Sequence, residues 1–312
     1  MMLAQRRLAG VVRGWSDPQV IQRRALHWLG RALTYLVLCD VAFVFLFPII
    51  YMVTTSFKSP EDLADITVYW VPHALYWQNY VLSFESLNYF PALKNSLSIA
   101  VPAAIGQVIT CSFVAYGLAR LRFPGRDLLF FFVLFTFLIP PETIIVPLFI
   151  LYKQLGWINT YAPFVVPSFF GHGLKGALFI LVFRQFFKNL PWELEDAASI
   201  DGASPFRVYW QIMLPLATPA ILVVLLFSLV WHWNDFFEPT MFLFTQNTYT
   251  LPMRLSVLFA SLNTETGGEA NEYFNEALSM AATFLSVLPM LVVYVFTQRF
   301  FVESIDRTGL VE

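Results

Sequence analysis

The sequence predicts an all-α polytopic membrane protein with six transmembrane helices. Two observations predict it: six long stretches nearly empty of charge, and basic loops that fall on alternate sides of those stretches. Of 312 residues, 58% are hydrophobic and 13% charged, against about 25% charged in soluble domains. An ordinary soluble enzyme is thereby excluded. The 19 basic and 21 acidic residues nearly cancel, so no basic surplus supports a nucleic-acid partner. Cys39 and Cys111 lie inside apolar runs, where a thiol behaves as a small hydrophobe, and they imply neither a disulfide framework nor a zinc site.

A hydrocarbon core about 30 Å thick is crossed by about 20 apolar residues in a helix. The first candidate interval, 31–58, is interrupted only by Asp40, and the second, 95–119, has no charge. The third, 127–153, is broken by Pro140-Pro141-Glu142, and the fourth, 154–183, contains Lys175. The fifth, 208–234, and the sixth, 277–298, are uncharged.

Lys and Arg in short loops mark the cytoplasmic side. One side holds Arg6, Arg7, Arg13, Arg23, Arg24 and Arg31, then Arg120, Arg122 and Arg126, then Arg184, Lys188 and Arg207, then Arg299 and Arg307. The other receives only Lys58, Lys94, Lys153 and Arg254. Both termini are therefore expected in the cytoplasm. The residues before Arg31 lack a short apolar core followed by a small-residue cleavage site, which argues against a removed signal peptide. Outward, Tyr69, Trp70, Tyr76, Trp77 and Tyr80 suit a membrane–water boundary, and 263–269 reads as a polar loop tip. With no internal repeat or soluble domain, the chain reads as a basic extension, 1–31, followed by one membrane domain, 32–312.

The loop between the fourth and fifth intervals, 189–215, carries a helix signal with both ends marked. Pro191 suits a first turn, Glu193, Glu195 and Asp196 complement the positive end of the helix dipole, and Gly202 can take the left-handed conformation that closes the helix. About ten residues of helix are expected. Ser204-Pro205 then caps a second helix leading to Ile212, Leu214 and Pro215. Leu194, Ala197, Ala198 and Asp201 recur at i, i+3, i+4 and i+7, a small and largely apolar face. So short a helix is unstable alone in water. It packs either in a plain turn on its own membrane domain or in a partner's groove.

Asp196-Ala197-Ala198, Gly202 after three intervening residues, then Ile212 and Leu214-Pro215 resemble the E-A-A-x3-G-x9-I-x-L-P loop of bacterial ABC importer permeases, with Asp in place of the first Glu. Phe57-Lys58-Ser59-Pro60-Glu61-Asp62, Ala115-Tyr116-Gly117-Leu118-Ala119-Arg120, Phe123-Pro124-Gly125-Arg126 and Trp233-Asn234-Asp235-Phe236 are similar to the carbohydrate branch, the maltose-type second permease family. The likeness runs from about residue 35 nearly to the end.

That resemblance implies a type I ABC importer permease fold in the inner membrane of a prokaryote. It also implies a second permease subunit in a heterodimer, two copies of a cytoplasmic ATPase and an extracytoplasmic substrate-binding protein. ATP and Mg would sit on the ATPase, with no cofactor on this chain, which has no G-x-x-x-x-G-K-[ST] phosphate loop. The helix around 193–202 would be the coupling helix, with Ala197 and Ala198 allowing close docking, Gly202 setting the turn, and Glu193, Glu195 and Asp196 offering acceptors to the ATPase.

Polar groups at membrane depth usually face protein or a watery cavity. Candidates for a substrate path are Glu142, His172, Lys175, Trp233, Asn234 and Asp235. Glu142 follows two prolines, where a broken helix opens backbone to a cavity, or it is a carboxylate on an outer loop. His172 and Lys175 share a helix face three residues apart, or Gly171, Gly173 and Gly176 mark close packing with Lys175 snorkelling. Trp233-Asn234-Asp235 suits sugar contact, by ring stacking and hydrogen bonds, and equally an interfacial ring with a helix stop. His27, His73 and His232 have no second ligand at metal spacing.

The leading expectation is a sugar or oligosaccharide permease working by alternating access, coupled to a separate ATPase. Glycerol phosphate or a related polyol ester is the alternative cargo. An ion-driven secondary transporter would usually carry inverted repeats or buried coupling carboxylates, and only Asp40, Glu142 and Lys175 fall within the intervals. A membrane-embedded enzyme finds no nucleophile–base or metal constellation.

Overall fold

The computed structural model describes residues 18–172, 175–264 and 269–308, and every regular element among them is helical. Arg6, Arg7 and Arg13 and most of the polar tip at 263–269 lie outside the described residues. A long first helix, α1 (Pro18–Ser56), leads to a connecting segment with α2 (Pro60–Ala64) and α3 (Gln78–Ser86). Then come α4 (Tyr89–Arg120), α5 (Arg126–Leu138), α6 (Pro141–Gln154), α7 (Ala162–Ser168) and α8 (Gly176–Asn189). The loop helices are α9 (Glu193–Ile200) and α10 (Pro205–Val208), followed by α11 (Thr218–Asn234), α12 (Phe237–Phe242), α13 (Leu251–Thr264) and α14 (Glu269–Thr308).

The six intervals take three forms. Leu26–Ser56, Tyr89–Arg120 and Glu276–Arg299 are unbroken and long and apolar enough to cross a membrane. The third interval is α5 and α6, bent by 97°. Ile139 and Pro140 each precede a proline and are extended, because the proline ring excludes the helical conformation from the residue before it. The fifth interval is a bent pair at 76°. Its first arm passes from α10 through a π-helical turn, Tyr209–Met213, and stops at Leu216, ahead of Pro219 in the first turn of α11. The fourth interval is split into α7 and α8, and the 14 residues of α8 span about 21 Å at 1.5 Å each, less than a hydrocarbon core.

α4 is the axis of the bundle. Its buried Ala92, Ala100, Ala103, Ala104, Cys111, Ala115 and Ala119 let neighbouring backbones approach closely, and it packs along α7, α8 and α11. At Gly106 the fit leaves no room: a β-carbon there would meet the Phe169 ring at 2.8 Å. The main core joins α4, α8, α9, α10 and α11 through Tyr116, Phe179, Phe183, Phe187, Tyr209 and Met213. At the far end of α4, Leu87, Tyr89 and Ala92 pack with Trp233, Leu251, Leu258 and Leu278.

Candidate functional site: the 189–215 loop and a cavity between the helices

The loop at 189–215 forms two short helices in succession. The eight residues of α9 carry Glu193, Glu195 and Asp196 in the first turn, where their charge meets the unpaired N–H groups. Its end is a Schellman closure. Gly202 has φ +77°, its N–H donates to Ser199 O at 3.0 Å, and the Ala203 N–H donates to Ala198 O at 2.9 Å. Ser204 then caps α10, accepting from the Arg207 N–H at 3.4 Å, with Pro205 at the first position.

The two faces of α9 differ. Ala198 is buried in the main core, packed with Val208, Tyr209 and their neighbours. Glu193, Asp196, Ala197 and Ile200 are exposed, and at i, i+3, i+4 and i+7 they form one face. Ile200 is 86% exposed at its end. The sequence-level face of Leu194, Ala197, Ala198 and Asp201 is therefore divided, since Ala198 points inward while Leu194, Ala197 and Asp201 stay exposed. Ile212 and Leu214 pack against the main core, and Pro215 lies in the turn that follows the π-helical segment.

Glu195 is turned toward its own membrane domain. Its Oε1 lies 3.5 Å from Nε of Arg120, the last residue of α4, whose side chain is wholly buried. The same guanidinium lies 4.4 Å from the Trp192 ring centroid and donates through Nη2 to Leu190 O. Burial pushes the Glu195 carboxyl above its usual range, opposed by Arg120 and reinforced by Asp196. Sequence reasoning placed Arg120 among the loop charges and at the end of a family-like motif without giving it a partner; its place at the end of an apolar helix was the available signal.

A cavity of about 570 Å³ opens between the bent pair α5–α6 and helices α4, α7 and α8. His172, Lys175 and Glu238 line it together with Phe137, Tyr152, Phe170 and Phe242. Lys175 has φ +62° at the start of α8 and its Nζ lies 5.6 Å from the Phe137 centroid. His172 and Lys175 thus share a cavity without sharing a helix. Gly171 and Gly176 are in backbone contact, because a β-carbon on Gly176 would meet Gly171 O at 2.7 Å. Glu238, on α12, is the lining carboxylate that sequence reasoning missed.

The other path candidates lie elsewhere. Glu142 is exposed in the first turn of α6, beside the lining residue Pro141. Trp233 is buried and its indole N–H donates to Ser286 O on α14 at 3.2 Å. Asn234 is exposed, and Asp235, two residues ahead of α12, accepts from the Glu238 N–H at 3.4 Å. His232 is buried beside Ser228, its Nδ1 2.8 Å from Ser228 O. Among the described residues no three His, Cys, Asp or Glu side chains group as metal ligands.

The model of the binding-protein-dependent transport system inner membrane component family matches residues 107–307, which include the whole 189–215 loop. The chain belongs to that family. It is a permease component of an ABC importer, an integral protein of the inner membrane. This permease is 30% identical over 273 residues to the arabinooligosaccharides transport system permease protein AraQ of Halalkalibacterium halodurans, covering 86% of this chain and 92% of the relative. It is 28% identical over 276 residues to the diacetylchitobiose uptake system permease protein NgcG of Streptomyces coelicolor, covering 88% and 87%. A solved bacterial ABC transporter for import of the acidic polysaccharide alginate has a chain of the same fold, with a TM-score of 0.73 at 22% identity, covering 88% of this chain and 96% of that one.

Proposed function

We propose that this permease carries a sugar or oligosaccharide into the cell by alternating access, driven by a separate ATPase that docks on α9. The face formed by Glu193, Asp196, Ala197 and Ile200 carries the docking reading: an isoleucine at 86% exposure beside two carboxylates offers an apolar contact and acceptors to one partner groove. The relatives named for arabinooligosaccharides and diacetylchitobiose support a carbohydrate cargo. In this reading ATP and Mg bind the ATPase, which is present in two copies, and a second permease completes the pathway. An extracytoplasmic binding protein delivers the cargo, as the alginate transporter solved with a pentasaccharide-bound periplasmic protein supports. The chain crosses the membrane six times with both termini in the cytoplasm. Residues 32–312 form the permease domain and 1–31 its basic extension.

The cavity belongs to the substrate path in the same reading. Lys175, His172 and Glu238 supply hydrogen bonds to hydroxyls, and Tyr152, Phe137 and Phe242 supply flat faces for a sugar ring. A ligand shifts a protein between two conformations only when it binds one of them better, so in this reading ATP acts through the docked helix. The test is reconstitution with the second permease, the ATPase and the binding protein in proteoliposomes, using labelled oligosaccharides and glycerol phosphate as cargo. ATP-dependent oligosaccharide uptake is expected; uptake of glycerol phosphate alone would reassign the cargo. Ile200→Asp is expected to release the ATPase, and full retention with normal uptake would remove the docking assignment.

A further inference from the structure

Arg120 is 3% exposed and ends the central helix. Its guanidinium touches three parts of the coupling loop at once: the Leu190 carbonyl oxygen, the Trp192 ring and the Glu195 carboxylate. The ion pair is incomplete. Nε and Nη1 of Arg120 and Oε1 of Glu195 are buried without a hydrogen bond, although Nε and Oε1 are only 3.5 Å apart. Desolvated charges hold each other strongly only when they are hydrogen-bonded, so a small shift of α9 toward α4 converts this contact into a direct charge-assisted bond.

The other end of α4 is held as firmly. The Asn95 amide donates to Asn247 O at 2.7 Å and Tyr249 O at 2.9 Å, and its Oδ1 accepts from the Tyr161 hydroxyl at 2.7 Å. One turn of helix is not spent before Ser96 Oγ accepts the Leu251 N–H at 2.9 Å. From Asn95 to Arg120 the helix spans about 38 Å at 1.5 Å per residue.

We propose that Arg120 is a positioning residue that transmits displacement of the coupling helix along α4 to the outward segment Asn247–Leu251. Half-made in this conformation, the Arg120–Glu195 contact is a two-state element, and nucleotide-driven movement of α9 makes or releases it. Asn95 carries the consequence to the outer loop. This rests on the docking reading of α9 but concerns a different surface, because Arg120 faces inward and leaves Glu193, Asp196, Ala197 and Ile200 for the ATPase.

The test uses the complete importer in proteoliposomes and reads cargo taken up per ATP hydrolysed, with ATPase capture measured on the same preparations. Arg120→Lys keeps the charge but loses the planar fork and ring stacking. Glu195→Gln keeps the shape of a side chain that is 14% exposed and is the variant to rely on if Arg120 substitutions fail to fold. Both are expected to retain the ATPase while uptake per ATP falls about tenfold, the usual scale of coupling between sites. The exchanged pair, Arg120→Glu with Glu195→Arg, is expected to recover part of that loss. Unchanged uptake per ATP in Glu195→Gln, or loss of ATPase capture in that variant, overturns the proposal. Failure of the docking reading is read separately, from Ile200→Asp.

Discussion

The Asn95 side-chain amide donates to the Asn247 carbonyl oxygen at 2.7 Å, joining two residues that lie far apart in sequence. Nothing in the local sequence of either predicts the other. Asn95→Asp keeps the acceptor for Tyr161 but removes the donor to Asn247 and Tyr249, whose carbonyls then face a carboxylate. Leaving buried polar groups unpaired costs about 1–3 kcal/mol each. Thermal unfolding of the importer in nanodiscs is expected to move down by several degrees, and an unchanged midpoint would show that water replaces the amide.

Gly202 supplies backbone conformation and not space. Its φ is +77° and an added β-carbon would meet nothing within 4 Å. Gly202→Val is therefore expected to fail through left-handed strain, about 1–2 kcal/mol, which loosens the Schellman closure while the protein still reaches the membrane. Gly202→Asn, which tolerates that conformation better, should keep most of the function. Co-purification of the ATPase with each variant checks the order; equal capture by both would place the importance of Gly202 elsewhere.

Glu195 separates coupling from stability. Burial raises its carboxyl above the usual range in the folded chain, with Arg120 only opposing. A raised acid contributes stability that is fully present below its unfolded value, near 4.5, and is lost as pH rises through the folded value. At neutral pH the charged form is a net burden. Glu195→Gln is expected to unfold at the wild-type temperature or higher at pH 7, with a flatter dependence of stability on pH through the acidic range. A lower midpoint at pH 7 would show that the ion pair outweighs burial.

The segment from Lys58 to Trp77 has its own pH response. His73 Nδ1 lies 2.7 Å from Asp62 Oδ1, and Asp62 also completes a capping box with Ser59. The hydrogen bond that the His73 ring donates to Asp62, then the Asp62 charge, raises the ring above 6.5. For Asp62, burial pushes the carboxyl up, and the bonds from His73 and Ser59 outweigh it to leave a net lowering. The contact is fully present below 6.5 while Asp62 remains charged, and is lost as pH rises through the raised histidine value. Proteolysis of the 58–77 segment is expected to quicken as pH rises above 6.5 through the raised histidine value, and His73→Gln should abolish that dependence. A wild-type rate constant across the window would mean that Lys58, bonded to Val68 O and Tyr69 O, holds the segment alone.

Much of this was legible in the chain. Charge spacing located the apolar intervals, and Pro140-Pro141 marked the bend between α5 and α6 because proline acts on the residue before it. Gly202, Ser204 and Pro205 fixed the loop's boundaries, since capping and left-handed turns are local chemistry. The pairing of Arg120 with Glu195 was not legible. Neither was the placing of Glu238 and Lys175 on one cavity, because the two come from distant helices and nothing in local periodicity encodes which apolar stripe meets which. His172 and Lys175 show the same limit: their spacing fits a helix, but His172 is not helical, Lys175 precedes the first residue of α8, and Gly171 lies against Gly176.

By itself the amino-acid order determined the membrane solvent, the helix ends and the loop that identifies the family, because transfer of charge into hydrocarbon and closure of a helix end depend on residues close together. Only tertiary packing decided that α4 is the axis, that Ala198 faces inward while Ile200 stands free, and that Trp233 joins α14 instead of the cavity. Those outcomes are chosen by how whole surfaces of small and bulky side chains fit across the bundle, a condition satisfied between segments and never within one.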